Sequence, residues 1–110
     1  MTVSILGREY ELIEKTPEED PLLHDSDGYC DNSIATCIIN KFEKREIDSL
    51  KDLDSHKRKV MRHEIIHAFL FESGLFQECE WSCEEMIDWV ASQFPKMVKA
   101  FREAGCMEQL

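Results

Sequence analysis

The sequence predicts an α+β fold: a small N-terminal antiparallel or mixed sheet, then a helix that carries the chemistry, then a second, C-terminal helix. Two observations predict it. Apolar and polar residues alternate with a period of two in the first 40 positions, whereas from Ser49 onward the apolar spacing becomes helical. Strands gathered first and helices afterwards belong to the α+β class rather than the alternating α/β class. A chain of 110 residues can bury one modest hydrophobic core and is too short for two, so residues 1–110 read as a single domain.

Val3 and Ile5, then Tyr10 and Leu12, alternate with polar neighbours on either side of Gly7, which predicts two short strands or a hairpin. Residues 16–27 contain Pro17, Pro21 and five acids and read as loop. The run GYCDNSIATCIIN, residues 28–40, is rich in β-formers and broken once near Asp31 and Asn32, giving one or two further strands. Residues 40–48 form a charged connection. Ser49 followed by Asp52 resembles a capping box, and Gly74 is the expected C′ residue, so the first helix spans about 24 residues, roughly 36 Å at 1.5 Å per residue. Ser82, Cys83, Glu84 and Glu85 fit the S-x-x-E capping box, with Ser82 as N-cap and Glu85 at N3. That second helix runs toward Gly105, with Pro95 marking a kink or a restart inside it.

Hydrophobic residues make up 43% and charged residues 33%, with only 4 Gly and 3 Pro, which excludes the disordered and fibrous classes. Thirteen basic against 23 acidic residues leave a net charge of −10, so the chain lacks the basic face that nucleic acid or an anionic membrane requires. No apolar run approaches the roughly 20 residues that span a bilayer, and the first residues, MTVSILGREYELIEK, carry no basic leader or small-residue cleavage site. A cytoplasmic protein is the expectation. Five cysteines without a CxxC pair fit reduced thiols better than a disulfide framework, and Cys30, Cys37 and Cys106 read as core residues.

The chemistry is concentrated in His63, Glu64, Ile65, Ile66 and His67, an H-E-x-x-H sequence. Histidines at i and i+4 lie one turn apart on one helix face, so both imidazoles can reach one metal ion while the glutamate flanks it. Neutral imidazoles suit Zn²⁺, and a carboxylate beside the metal can take a proton from its water. With 4 His and 15 Glu in the chain, about 0.02 chance occurrences of the pattern are expected. Counted at about 100° per residue from His63, His67 falls near 40° and Glu64 near 100°. Met61, Ile65, Ile66, Ala68, Phe69 and Leu70 occupy roughly 140° to 340°, which predicts a largely buried helix. Buried His and Glu need partners, since an unpaired buried polar group costs about 1–3 kcal/mol. A metal ion is one such partner; backbone carbonyls bonded to two core histidines are the other.

Zinc needs a further protein ligand, and Glu84 and Asp88 stand as an E-x-x-x-D pair on the second helix. From Glu84 as zero, Asp88 lies near 40°, while Met86, Ile87, Val90, Ala91, Phe94, Val98 and Phe101 span about 200° to 340° and form the expected core face. Glu84 and Asp88 border that face; Glu85 points about 100° away and has the capping role. Glu84 is therefore preferred as ligand, and Asp88 is expected to accept a hydrogen bond from the distal nitrogen of His63 or His67. Cys79 and Cys83 offer an alternative, a closed His2Cys2 structural site without room for water.

At these residues the chain resembles the zincin metallopeptidases, gluzincin-like and specifically the minimal ImmA/IrrE-like group, in which an HExxH helix follows a small sheet. The glutamate ligand of that group lies in an E-x-x-A-[ND]-x-F-A pattern. Residues 84–91, EEMIDWVA, keep Glu84, Asp88 and Ala91, with Ile87 in place of the small residue and Val90 in place of the aromatic. The whole chain is also similar to short proteins encoded by phages and prophages. The resemblance implies a zincin-like fold, one Zn²⁺ held by His63, His67 and Glu84, and hydrolysis of a protein or peptide with Glu64 as the catalytic base, in the host cytoplasm if the chain is phage-encoded. A substrate laid along a sheet edge, the strand over residues 33–40, is the expected docking mode. Tyr10, Tyr29 and His24 are candidate transition-state donors that read better as structural or surface residues. The second reading, from a different class, is a zinc-stabilised, catalytically inactive interaction module. Only the enzyme needs Glu64.

Overall fold

A computed structural model of the chain describes residues 1–43, 52–75 and 83–108. Strands β1 (Thr2–Ile5) and β2 (Arg8–Lys15) form an antiparallel hairpin. Its two linking residues, Leu6 and Gly7, both have positive φ, 50° and 88°, as the tight hairpin turns whose twist matches the strands require. The run over residues 28–40 divides into β3 (Gly28–Asp31) and β4 (Thr36–Asn40) around a short 3-10 turn, Asn32–Ile34. A second such turn, Pro21–His24, interrupts the preceding loop and is capped by the Asp20 side chain. The sheet is mixed, in the order β1-β2-β4-β3, with β4 parallel to β2 and antiparallel to β3.

This order corrects one expectation. Residues 36–40 form an interior strand whose ladder is shared by two neighbours, so the strand expected to receive a substrate is not an edge. Among the described residues the edges are β1 and β3.

Helices α1 (Leu53–Ser73) and α2 (Glu84–Ala104) follow the sheet. Asp52 is the N-cap of α1, its carboxylate accepting from the Ser55 amide at 3.0 Å; it is not the third residue of a turn capped by Ser49, which lies outside the described residues. Gly74, at φ 82°, closes α1 as expected. Cys83 is the N-cap of α2 and makes no side-chain capping bond. Glu85 therefore sits one position earlier in the helix than the Ser82 capping box implied, and Ser82 itself lies outside the described residues.

α1 lies on the sheet. Ile5, Tyr10, Leu12 and Cys37 pack with Ala68, and Val3, Cys30, Ala35, Met61 and Ile65 complete the cluster. The fit against β3 depends on Gly28, where a Cβ would stand 2.9 Å from the Ile38 carbonyl oxygen and 3.0 Å from Val60 Cγ1. At the C-terminal end of α1, Glu72 accepts from Tyr10 Oη at 2.6 Å and from Arg8 Nη1 at 2.8 Å, fastening the helix to β2. Near its start, Lys57 pairs with Glu14. The helix is less enclosed than its apolar wheel implied, since Phe69 is exposed.

α2 packs on α1 through the buried Ile87 and Ala91. It runs through Pro95 as one element, without a restart. Proline has no amide hydrogen, so the carbonyl four residues earlier, that of Ala91, loses its helical donor. Arg62 of α1 supplies one instead, Nε donating to the Ala91 oxygen at 2.7 Å. The residue that should weaken α2 thereby helps to join it to α1. Met86, Phe94 and Phe101, assigned to the core face by the wheel, are exposed, as is Cys106. No helix among the described residues is long and apolar enough to cross a membrane.

Candidate metal centre

Helical spacing brings His63 and His67 together on α1, with ring centroids 4.9 Å apart and Nε2 atoms 3.2 Å apart. Glu84, in the first turn of α2 where a carboxylate is favoured by the helix dipole, reaches across to both. Its Oε2 lies 2.9 Å from His63 Nε2 and its Oε1 2.6 Å from His67 Nε2. One ligand atom from each of the three residues falls within 4.8 Å of the others. The histidines are half-buried, whereas the Glu84 side chain is 71% exposed and approaches from the solvent side.

The donors suit zinc. Tetrahedral coordination at Zn–N distances of about 2.0–2.1 Å separates ligand nitrogens by roughly 3.3 Å. The two Nε2 atoms already stand at nearly that separation, with a carboxylate oxygen beside each. Burial keeps the His67 imidazolium disfavoured against the opposing pull of Glu84, and a neutral ring is the form that ligates.

Asp88, one turn after Glu84, places Oδ1 3.4 Å from His63 Nδ1, and Lys59 Nζ lies 3.1 Å from its other oxygen. Burial raises the Asp88 carboxyl, but Lys59 and His63 outweigh it and hold the group below the usual range. Glu64 lies against β3 and is buried at 6% exposure. A Cβ at position 28 would stand 3.4 Å from Glu64 Cγ, so Gly28 also makes room for this side chain. Desolvation, reinforced by Glu84 and opposed by His63, pushes the Glu64 carboxyl up to about 7.

These groups border one open cleft of about 580 Å³. β3 contributes Gly28, Tyr29 and Cys30, α1 contributes His56, Lys59, Val60, His63, Glu64 and His67, and α2 contributes Glu84 and Asp88. Glu85 does not line it. Tyr29 does, though its hydroxyl is bonded to Asp20, and burial and hydrogen bonding commit the Tyr10 hydroxyl to Glu72. Cys83 is an exposed free thiol outside the metal-ligand group, and Cys79, its partner in the closed-site alternative, lies outside the described residues.

The cleft also contains His56, whose Nε2 lies 2.7 Å from Asp27 Oδ2 and whose ring meets Phe42 edge-on at 5.4 Å. Sequence reasoning missed this residue. Its signal was present: positions 56, 63 and 67 share one helix face at i, i+7 and i+11. Asp27 carried none, because its proximity depends on how β3 meets α1. No protein-family model matches the chain, and neither the curated proteins nor the solved structures include one significantly similar to it.

Proposed function

We propose that the protein is a zinc-dependent metallopeptidase that hydrolyses a protein or peptide in the cleft between β3 and α1. The observation that carries this reading is the convergence of His63, His67 and Glu84 at ligand distances, with the buried Glu64 carboxylate in the same cleft. A bound metal would supply Lewis acidity, lowering the pKa of water and polarising a carbonyl. Glu64 accepts the proton from the attacking water and returns it to the departing amine, a task suited to a carboxyl raised toward neutrality. Asp88 holds the His63 ring through Nδ1 and fixes which nitrogen faces the ligand point. The edge strand β3 replaces β4 as the candidate docking strand for an extended peptide, since Gly28, Tyr29 and Cys30 line the cleft.

The interaction-module reading retains one observation in its favour: α2 exposes Met86, Trp89, Phe94 and Phe101. Glu64→Gln separates the two. The carboxamide preserves size but cannot accept a proton, so the variant should retain zinc and lose peptidase activity by about two to four powers of ten. Proteins captured by this variant serve as the substrate source. If wild type and variant capture the same partners and neither yields cleaved products after prolonged incubation with zinc, the module reading replaces the enzyme.

A further inference from the structure

Cys30 and Cys37 face each other across the antiparallel pair of β3 and β4. Directly opposed residues project from the same face of a sheet, with Cα atoms about 4.5–5.5 Å apart, inside the roughly 4.4–6.8 Å range that a disulfide spans. The two thiols are close enough for each to shift the ionisation of the other. Their surroundings differ. Cys37 is fully buried and its sulfur donates to the Glu64 carbonyl at 3.8 Å. Cys30 is half-buried, lines the cleft and donates to Asn32 Oδ1 at 3.2 Å.

We propose that Cys30 and Cys37 form an oxidisable dithiol, in which hydrogen peroxide entering the cleft oxidises Cys30, and Cys37 closes a cross-strand disulfide. The inference is independent of the peptidase reading, because neither sulfur belongs to the metal-ligand group and Cys37 meets the backbone carbonyl of Glu64. Two asymmetries set the order of reaction. Cys30 is the thiol that the cleft exposes. The neighbouring Cys37 thiol also holds the Cys30 thiol below its usual range despite burial and the nearby Glu64, Asp31 and Glu72 carboxylates, whereas the Cys30 neighbour and burial push Cys37 well up.

In the first step the Cys30 thiolate sulfur attacks one peroxide oxygen, the O–O bond breaks, and hydroxide leaves, giving a sulfenic acid. In the second, the Cys37 sulfur attacks the Cys30 sulfur, the S–O bond breaks, and the departing hydroxide takes the Cys37 proton as water. The thiols together lose two electrons and two protons, and one peroxide becomes two waters. The new bond lies directly beneath α1 and removes the Cys37 donor from the Glu64 carbonyl.

The test is peroxide treatment of the purified full chain, followed by alkylation and peptide mapping. The expected product is a monomer lighter by two hydrogen atoms, with the Cys30 peptide linked to the Cys37 peptide. In Cys37→Ala, Cys30 should accumulate as a dimedone-reactive sulfenic acid and proceed to sulfinic acid. In Cys30→Ser, Cys37 should stay unmodified. A wild-type Cys30 that reaches sulfinic acid while Cys37 stays a thiol would overturn the proposal. So would a link through Cys79, Cys83 or Cys106 in place of the cross-strand one, or equal oxidation of Cys37 in Cys30→Ser. Should Cys37→Ala not fold, the wild-type peptide map decides alone.

Discussion

Arg62→Ala removes the donor that Pro95 makes necessary. In the wild-type chain the Ala91 carbonyl has no helical partner, and Ala91 is fully buried, so water cannot replace the Arg62 Nε bond of 2.7 Å. Leaving a buried acceptor unpaired costs about 1–3 kcal/mol, and a bond from a charged donor falls toward the upper part of that range. In a Pro95→Ala background, residue 95 regains its amide hydrogen and can serve the same carbonyl. Arg62→Ala should then cost well under half as much, leaving a coupling energy of about 1–2 kcal/mol between two residues on different helices. Pro95→Ala alone should stabilise the chain, because proline in a helix interior is about 3 kcal/mol less favourable than alanine before its surroundings relax. The assay is urea denaturation of the four proteins at one fixed zinc concentration, with slopes compared to confirm that the unfolded states match. Equal costs of Arg62→Ala in the two backgrounds would refute the reasoning.

Two further predictions follow from the cleft. Chelation should lower the unfolding temperature of a preparation shown to contain zinc, because a ligand that binds the folded state alone adds its binding free energy to stability; an unchanged melting curve would count against a bound structural role. In metal-free protein, Glu64 is an acid whose folded pKa, about 7, lies above its unfolded value of 4.5, so its stabilising contribution is complete below pH 4.5 and lost as pH rises to 7. Glu64→Gln should therefore gain roughly 3 kcal/mol relative to wild type between those two pH values, and a difference that does not vary with pH would contradict the burial argument.

The strands were legible because a half-buried sheet writes its period into the chain: Val3, Ile5, Tyr10 and Leu12 all mark the face that meets α1. Strand order was not. Nothing in TCIIN distinguishes an interior strand from an edge, since the parallel pairing with β2 is decided by the path of residues 16–27. The convergence of the candidate ligands was legible for the same reason as the strands, because His63 and His67 are tied by helix period and Glu84 by its place on the border of a second amphipathic face. What escaped were contacts that depend on one element meeting another. Asp27 beside His56, Arg62 on the Ala91 carbonyl and Cys30 opposite Cys37 are each set by packing or register. The start of α1 was misplaced by position, since Ser49 and Asp52 are both good N-caps and the chain uses Asp52.

Zinc stoichiometry of the purified protein tests the central claim most directly. Wild type should carry roughly one zinc ion per chain, as a His2Glu site with one open position requires. His63→Ala and Glu84→Gln should lose most of it, while Glu85→Gln retains it and forfeits at most about 1 kcal/mol of stability at the start of α2. A wild-type chain that takes up no zinc would contradict the account. Metal lost in Glu85→Gln but kept in Glu84→Gln, or lost on replacement of Cys79 or Cys83, would move the site to other ligands.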